Sequence, residues 1–487
     1  MPGLRHALLC GTVLAFSFAC ATAPQEVERH VLLEECGPGD ARCGTVRVFE
    51  DRERASGRTI DLKVVVYPAR RRDAESDPVF FLAGGPGQAA AETSSLVVGM
   101  LDRVRQDRDL VFVDQRGTGE SNGLPCDVES DDLQLLGSID HALRTIRECL
   151  EGYDADLRFY TTPVAMDDLD EVREQLGYST INVWGVSYGT RAALVYLRRH
   201  GEHVRSAVLD AVAPLGMKLP ASFAVDAQRA LDLTFDACEV EDRCRKRFPD
   251  LRLKFGDLLD RLERQPVTAH VRHPRTGEHE RVKLSRDVVA GVLRAALYSS
   301  ATASLVPLLI DQMHGGDFNG VLALAVGGVL PAEAKNYWGM FYSVICAEDL
   351  PWIDDQELRR DAAGTFLSDS TADLFERVCS GREWGVVAED YHEPVRSDVP
   401  TLVLSGKLDP VTPPRWGDKL VESLSNARHI VAPGLGHGTG AMGCVPDLIE
   451  SFLAAADAAA IDDACVQELQ RPPFFVTHGG PAMTGAQ

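Results

Sequence analysis

One segment constrains this chain more than any other. Gly185-Val186-Ser187-Tyr188-Gly189-Thr190 follows a continuous apolar run at residues 181–184 and opens a helix-patterned stretch at 191–200. A serine on so sharp a strand-to-helix turn has a strained backbone, and its hydroxyl must stand clear of the sheet. Glycines two positions to either side meet both needs. Ser187 is therefore a candidate nucleophile; a plain structural serine is the alternative that the flanking strand and helix disfavour. Short apolar runs recur at 79–82, 110–113, 207–209 and 401–404, and 427–431 reads as a further strand. Runs of that length fill strands buried on both faces. Helix-sized segments such as 164–176 separate them, which predicts right-handed βαβ units and a mostly parallel sheet with helices on both faces.

The alternation starts after a Gly-Pro-Gly turn at 37–39 and two β-rich runs, 45–49 and 60–67, that read as an antiparallel hairpin. It is interrupted between residues 214 and 398. Helical periods at 221–238, 251–262, 286–297 and 371–378, with one strand pair at 267–271 and 280–284, predict a mainly helical cap over the sheet's C-terminal edge. The expected division is thus 24–213 and 399–487 for the α/β core and 214–398 for the inserted cap. Arg70-Arg71-Arg72 reads as a solvated loop.

Composition narrows the partners. The 487 residues are 45% hydrophobic and carry a net charge of −23, so the surface repels phosphate backbones and anionic lipid. Arg5 and His6 precede an apolar run at 7–19 and the A-x-A-like Ala21-Thr22-Ala23, which predicts an export signal over 1–23 and no membrane insertion. Cys20, preceded by a poor lipobox, is a rival processing point that would leave a lipid tether. Ten of the 12 cysteines lie beyond the signal. An even count in an exported chain favours disulfides. Neighbour pairing is the simplest scheme: Cys36 with Cys43, Cys126 with Cys149, Cys238 with Cys244, Cys346 with Cys379, Cys444 with Cys465. A zinc site is disfavoured because no C-x-x-C pair occurs, and no metal or other cofactor is expected.

An activated serine needs an acid and a base later in the chain. The strand at 401–404 ends in Ser405-Gly406-Lys407-Leu408-Asp409-Pro410, which places Asp409 on the sheet's C-terminal edge as the acid; Asp210 is the rival. The next strand runs into Pro433-Gly434-Leu435-Gly436-His437-Gly438, where His437 can reach across as the base. His314 and His392 lie in the cap region without such a loop. Ala83-Gly84-Gly85-Pro86-Gly87, after the strand at 79–82, is a glycine turn suited to an oxyanion donor. The N–H groups of Gly85 and Tyr188 are the expected pair.

Together with Asp114-Gln115-Arg116-Gly117-Thr118-Gly119-Glu120-Ser121, these motifs resemble the prolyl aminopeptidase and tripeptidyl aminopeptidase family of α/β-hydrolases. Cys346-Ala347-Glu348-Asp349 and the residues after about 400 resemble the C-terminal portion of its secreted tripeptidyl-aminopeptidase-like members. The resemblance implies a serine exopeptidase acting on free N-termini, often favouring proline. That chemistry calls for an anion to hold the substrate ammonium, with Glu348 and Asp349 as candidates beside Cys346. The family often has a histidine before Gly-Gly-Pro-Gly, where this chain has Ala83, and Arg116 reads as a clamp on neighbouring loops. Two rivals share these features: an esterase or lipase using the same three side chains, and an inactive secreted binding protein on a hydrolase scaffold. A dehalogenase or epoxide hydrolase would need a carboxylate where Ser187 stands.

Overall fold

The computed structural model describes residues 31–37, 40–126, 139–273, 276–327 and 336–481. The expected export signal at 1–23, Cys20 and part of the 37–39 turn lie outside these residues. Its central element is a nine-stranded sheet. The strands are β1 (Glu34–Glu35), β2 (Arg42–Phe49), β3 (Thr59–Tyr67), β4 (Val79–Leu82), β5 (Leu110–Val113), β6 (Ile181–Val186), β7 (Val204–Asp210), β10 (Thr401–Gly406) and β11 (Ala427–Ala432), in the order β1-β2-β3-β5-β4-β6-β7-β10-β11. From β5 to β11 all pairings are parallel, and β1 to β3 form an antiparallel edge. β8 (Val267–Arg272) and β9 (His279–Leu284) form a separate antiparallel pair.

Residue alternation explains the two covered faces. Phe80, Leu82 and Val183 point into one core with Leu169, Ala192 and Leu194 from the helices Thr162–Gln175 and Tyr188–His200. Val79, Phe81 and Trp184 point into the other with Val97, Ile449 and Phe452 from Ser94–Met100 and Val445–Ala455. Every residue of β4, β5 and β10 is buried, as the unbroken apolar runs require.

The stretch read as one cap, 214–398, divides between two cores. The helices Phe223–Val240, Leu251–Arg264, Arg286–Ala296 and Val306–His314 share an apolar cluster with Phe366 and Leu367. Tyr342, Val344, Cys346, Val378, Cys379 and Tyr391 instead join the core beneath the sheet. Conversely Phe474 and Val476, assigned by position to the C-terminal core, pack into the cap cluster. Periodicity reports that a segment has an apolar face and does not report which core receives it. All five neighbouring cysteine couples are disulfide-bonded, and Cys346–Cys379 ties the π-helical turn Ile345–Asp349 to the helix Ser370–Cys379.

Candidate active site

Ser187 stands between β6 and the helix Tyr188–His200 with φ +58° and ψ −123°. An L-residue holds that conformation only where its surroundings enforce it. Here the Ser187 N–H donates to the Asp210 carbonyl at 2.9 Å, and the Ser187 carbonyl accepts from the Thr190 N–H at 2.9 Å and the Thr190 hydroxyl at 2.6 Å. A side chain at Gly185 would collide with the Gly189 backbone, and one at Gly189 would collide with the Leu82 carbonyl. The two glycines of the motif are thus the condition for the turn to pack against β4.

Opposite, Gly84 is buried so close to Ser187 that a Cβ there would lie 3.2 Å from the serine Cβ, while its neighbour Gly85 is exposed with φ +104°. Tyr188 is the first helical residue, and its N–H is among those a helix cannot satisfy internally. Gly84 and Tyr188 thus adjoin the serine, and Gly85 is the residue that follows Gly84 in the turn.

Asp409 follows β10 and is fully buried. One carboxylate oxygen accepts the Val411 and Thr412 N–H groups at 2.7 and 2.9 Å; the other accepts the Thr412 hydroxyl at 2.8 Å and faces His437 Nδ1 at 2.8 Å. Burial pushes the Asp409 pKa up, but the facing imidazole and these N–H donors outweigh it and leave the group below its ordinary value. An ionised carboxylate only accepts, so Nδ1 carries the proton and Nε2 keeps its lone pair. For His437, burial works toward the neutral form, while Asp409, with a smaller contribution from Asp210, raises the pKa overall. The His437 N–H donates to the Tyr298 carbonyl at 2.7 Å, and the Tyr298 ring packs edge-on to the imidazole at 5.1 Å.

The histidine loop reaches the serine turn through Asp210. Its carboxylate accepts the Thr439 N–H at 2.8 Å, the Thr439 hydroxyl at 2.9 Å and the Gly440 N–H at 2.7 Å. Asp210, the rival acid in the sequence, thus fastens the loop that carries His437, and Asp409 is the carboxylate that touches the ring. A Cβ on Gly438 would meet Val186 at 3.9 Å, so the two loops touch. The Ser187 hydroxyl makes no hydrogen bond among the described residues; such bonds commonly tighten only when substrate is bound.

Glu348 and Asp349 do not reach the site as anchors for a substrate ammonium. Both are fully buried. Glu348 accepts the Thr162 N–H and hydroxyl at 2.5 and 2.9 Å and the Tyr391 hydroxyl at 2.5 Å. Asp349 takes Arg191 Nη1 on both oxygens at 2.9 and 2.8 Å. Glu348 is held between the start of the helix Thr162–Gln175 and Tyr391, and Asp349 pairs with Arg191 on the helix behind Ser187. The adjacent acids gave no sign of this, because the sequence does not show that the turn bearing them passes beneath the sheet. Arg116, fully buried, forks onto Asp168 at 2.6 and 2.8 Å and also donates to the Glu50 and Phe159 carbonyls. His392 turns Nδ1 toward the Leu215 carbonyl at 2.7 Å. Among the described residues no group of three His, Cys, Asp or Glu side chains has metal-binding geometry.

Three further residues shape the site: Thr412, Tyr298 and Arg294. Thr412, three positions after Asp409, was missed, although its spacing is one familiar from aspartate turns. Tyr298 and Arg294 come from the cap and carry no local signal.

Two family models match the chain: one described as alpha/beta hydrolase fold over residues 77–239, and one described as TAP-like protein over residues 365–465. Serine protease Hip1 of Mycobacterium tuberculosis is 24% identical over 451 residues, covering 85% of either chain. The tripeptidyl aminopeptidase of Streptomyces lividans is 30% identical over 193 residues, 36% of either chain. The putative hydrolase YuaR of Escherichia coli is 24% identical over 220 residues, 42% of this chain and 43% of that protein.

Proposed function

Because the chain belongs to the α/β-hydrolases with a TAP-like C-terminal portion, we propose that it is an exported serine aminopeptidase. It releases a residue, proline among them, or a short peptide from a free N-terminus. Ser187 attacks the peptide carbonyl carbon while His437 Nε2 takes the hydroxyl proton. The same nitrogen then delivers that proton to the departing amine, leaving an acyl-enzyme that water, deprotonated by His437, resolves. Asp409 holds the imidazole in the required tautomer and balances the charge it gains. The Gly85 and Tyr188 N–H groups receive the oxyanion.

The observation that carries this reading is the 2.8 Å contact of buried Asp409 with His437 Nδ1, on a loop fastened to the Ser187 turn through Asp210. The serine protease and tripeptidyl aminopeptidase among the relatives support peptide bonds as the target. Export is supported by five disulfides and the apolar leader.

Initial rates on proline and Ala-Ala-Pro arylamides, their N-blocked forms and a short acyl ester test the proposal. A substrate ammonium held by charge-assisted hydrogen bonds is expected to favour the unblocked arylamides by about tenfold or more. Indifference to blocking, with the ester as best substrate, would contradict an aminopeptidase and leave an esterase.

A further inference from the structure

Beside this site lies a cation, Arg294, with no counter-charge among the described residues. Arg294, on the helix Arg286–Ala296, places its guanidinium carbon 4.3 Å from the Phe223 ring centroid and 5.5 Å from that of Tyr298. Its Nε and Nη2 are shut from solvent without a hydrogen-bond partner, and among the described residues it forms no ion pair. Arg294 is half-buried, and two guanidinium nitrogens shut from water without a partner are costly. The arrangement is also unexpected in a chain with 73 acidic and 50 basic residues, where the buried Arg116 and Arg191 each pair with a carboxylate.

Its position gives the missing partner a direction. The Tyr298 ring stands between Arg294 and His437, touching both, and Arg294 is close enough for its charge to oppose protonation of the imidazole. In the proposed reaction His437 hands its proton to the departing amine, so the ground beside the imidazole is where the leaving portion passes. Phe223 and Tyr298 also border the apolar cluster of Ala213, Met217, Val411 and Trp416, which dries this corner and strengthens any ion pair made there.

We propose that Arg294 is a specificity residue that binds a carboxylate on the leaving portion of the substrate. Guanidinium geometry suits a two-pronged contact with such a group. Two sources present it: the terminal carboxylate of a short peptide, or an aspartate or glutamate side chain just beyond the scissile bond. The inference rests on the serine hydrolase reading, because it takes its sidedness from His437, but it is a statement about binding and can be read without turnover.

The test uses the full chain carrying Ser187→Ala and calorimetric titration with Pro-Ala and Ala-Ala-Pro-Ala, each as free acid and as C-terminal amide, and with Pro-Asp amide and Ala-Ala-Pro-Asp amide. At least one peptide with a carboxylate on its leaving portion, the free acid or the aspartyl amide, is expected to bind about tenfold or more tightly than the plain amide, the value of a charge-assisted contact. An aspartyl amide that recovers the tighter binding assigns the site to a side chain; one that does not assigns it to the chain terminus. Arg294→Gln in the same background is expected to bring the ratios to within about twofold of one, and Arg294→Lys to retain part of the preference. Replacing an unpaired cation orphans no partner, so both variants are expected to fold, and thermal melts verify it. Equal binding of acid, amide and aspartyl amide, failure of every peptide to bind, or a preference that survives Arg294→Gln overturns the proposal. Turnover by the unmodified enzyme is a separate measurement, so failure of the inference and failure of the hydrolase reading are told apart.

Discussion

The Asp210 carbonyl holds the Ser187 N–H at 2.9 Å, while the carboxylate of the same residue holds Thr439 and Gly440, two and three positions past His437. The end of β7 therefore holds the Ser187 turn and the His437 loop together from both sides. Asp210→Ala leaves two buried N–H groups and a hydroxyl without an acceptor, which is expected to cost about 3 kcal/mol or more of stability. Differential scanning calorimetry should show a lowered Tm, and arylamide turnover at a temperature where the variant is folded should fall as the His437 loop loosens.

Asp409→Asn preserves the shape of its site but presents an amide to His437 Nδ1, where the imidazole needs an acceptor to keep Nε2 basic. By analogy with other serine hydrolases, kcat is expected to drop by ~10⁴-fold with little change in KM. A circular-dichroism melt near that of the parent would separate this loss from unfolding.

The acid limb of the pH–rate profile reports His437. Its pKa lies above the ordinary 6.5, because Asp409 stabilises the imidazolium more than burial destabilises it. A raised pKa keeps the base protonated to higher pH, so kcat/KM for an uncharged ester is expected to fall on acidification with a midpoint above 6.5. Asp409→Asn should move that midpoint down.

Glu348 behaves differently. Burial, only partly opposed by Arg191, Tyr391 and Thr162, pushes its carboxyl pKa up to about 7. The folded state thus keeps a proton that the unfolded chain releases near pH 4.3. The stability it contributes is full below that pH and is lost as pH rises through about 7. Glu348→Gln, permanently neutral, is expected to flatten the fall in Tm between about pH 5 and 8; an unchanged slope would assign the proton elsewhere.

Much of the site was legible because its residues sit where strands end. Ser187 and Asp409 each follow an apolar run long enough to recognise, His437 follows a mixed strand ending in Ile430-Val431, and chain order suggested the roles proposed for the three. Glycine spacing pointed to the turns, and the structure gives the collisions behind it at Gly185 and Gly189. Glu348 and Asp349 misled for a physical reason: adjacent acids read alike whether they face substrate or brace a buried arginine, and only the path of the π-helical turn distinguishes the two. Arg294 and Tyr298 were invisible because their meaning depends on how a cap helix docks over His437, a long-range contact with no local periodicity.

The central claim is that Ser187 is a nucleophile activated by His437. It is tested most directly by reacting the folded protein with a fluorophosphonate and locating the adduct by peptide mass spectrometry. One adduct is expected, on the peptide bearing Ser187, absent in Ser187→Ala and formed far more slowly in His437→Ala. A protein that remains unlabelled, or that is labelled equally in Ser187→Ala, would contradict the account.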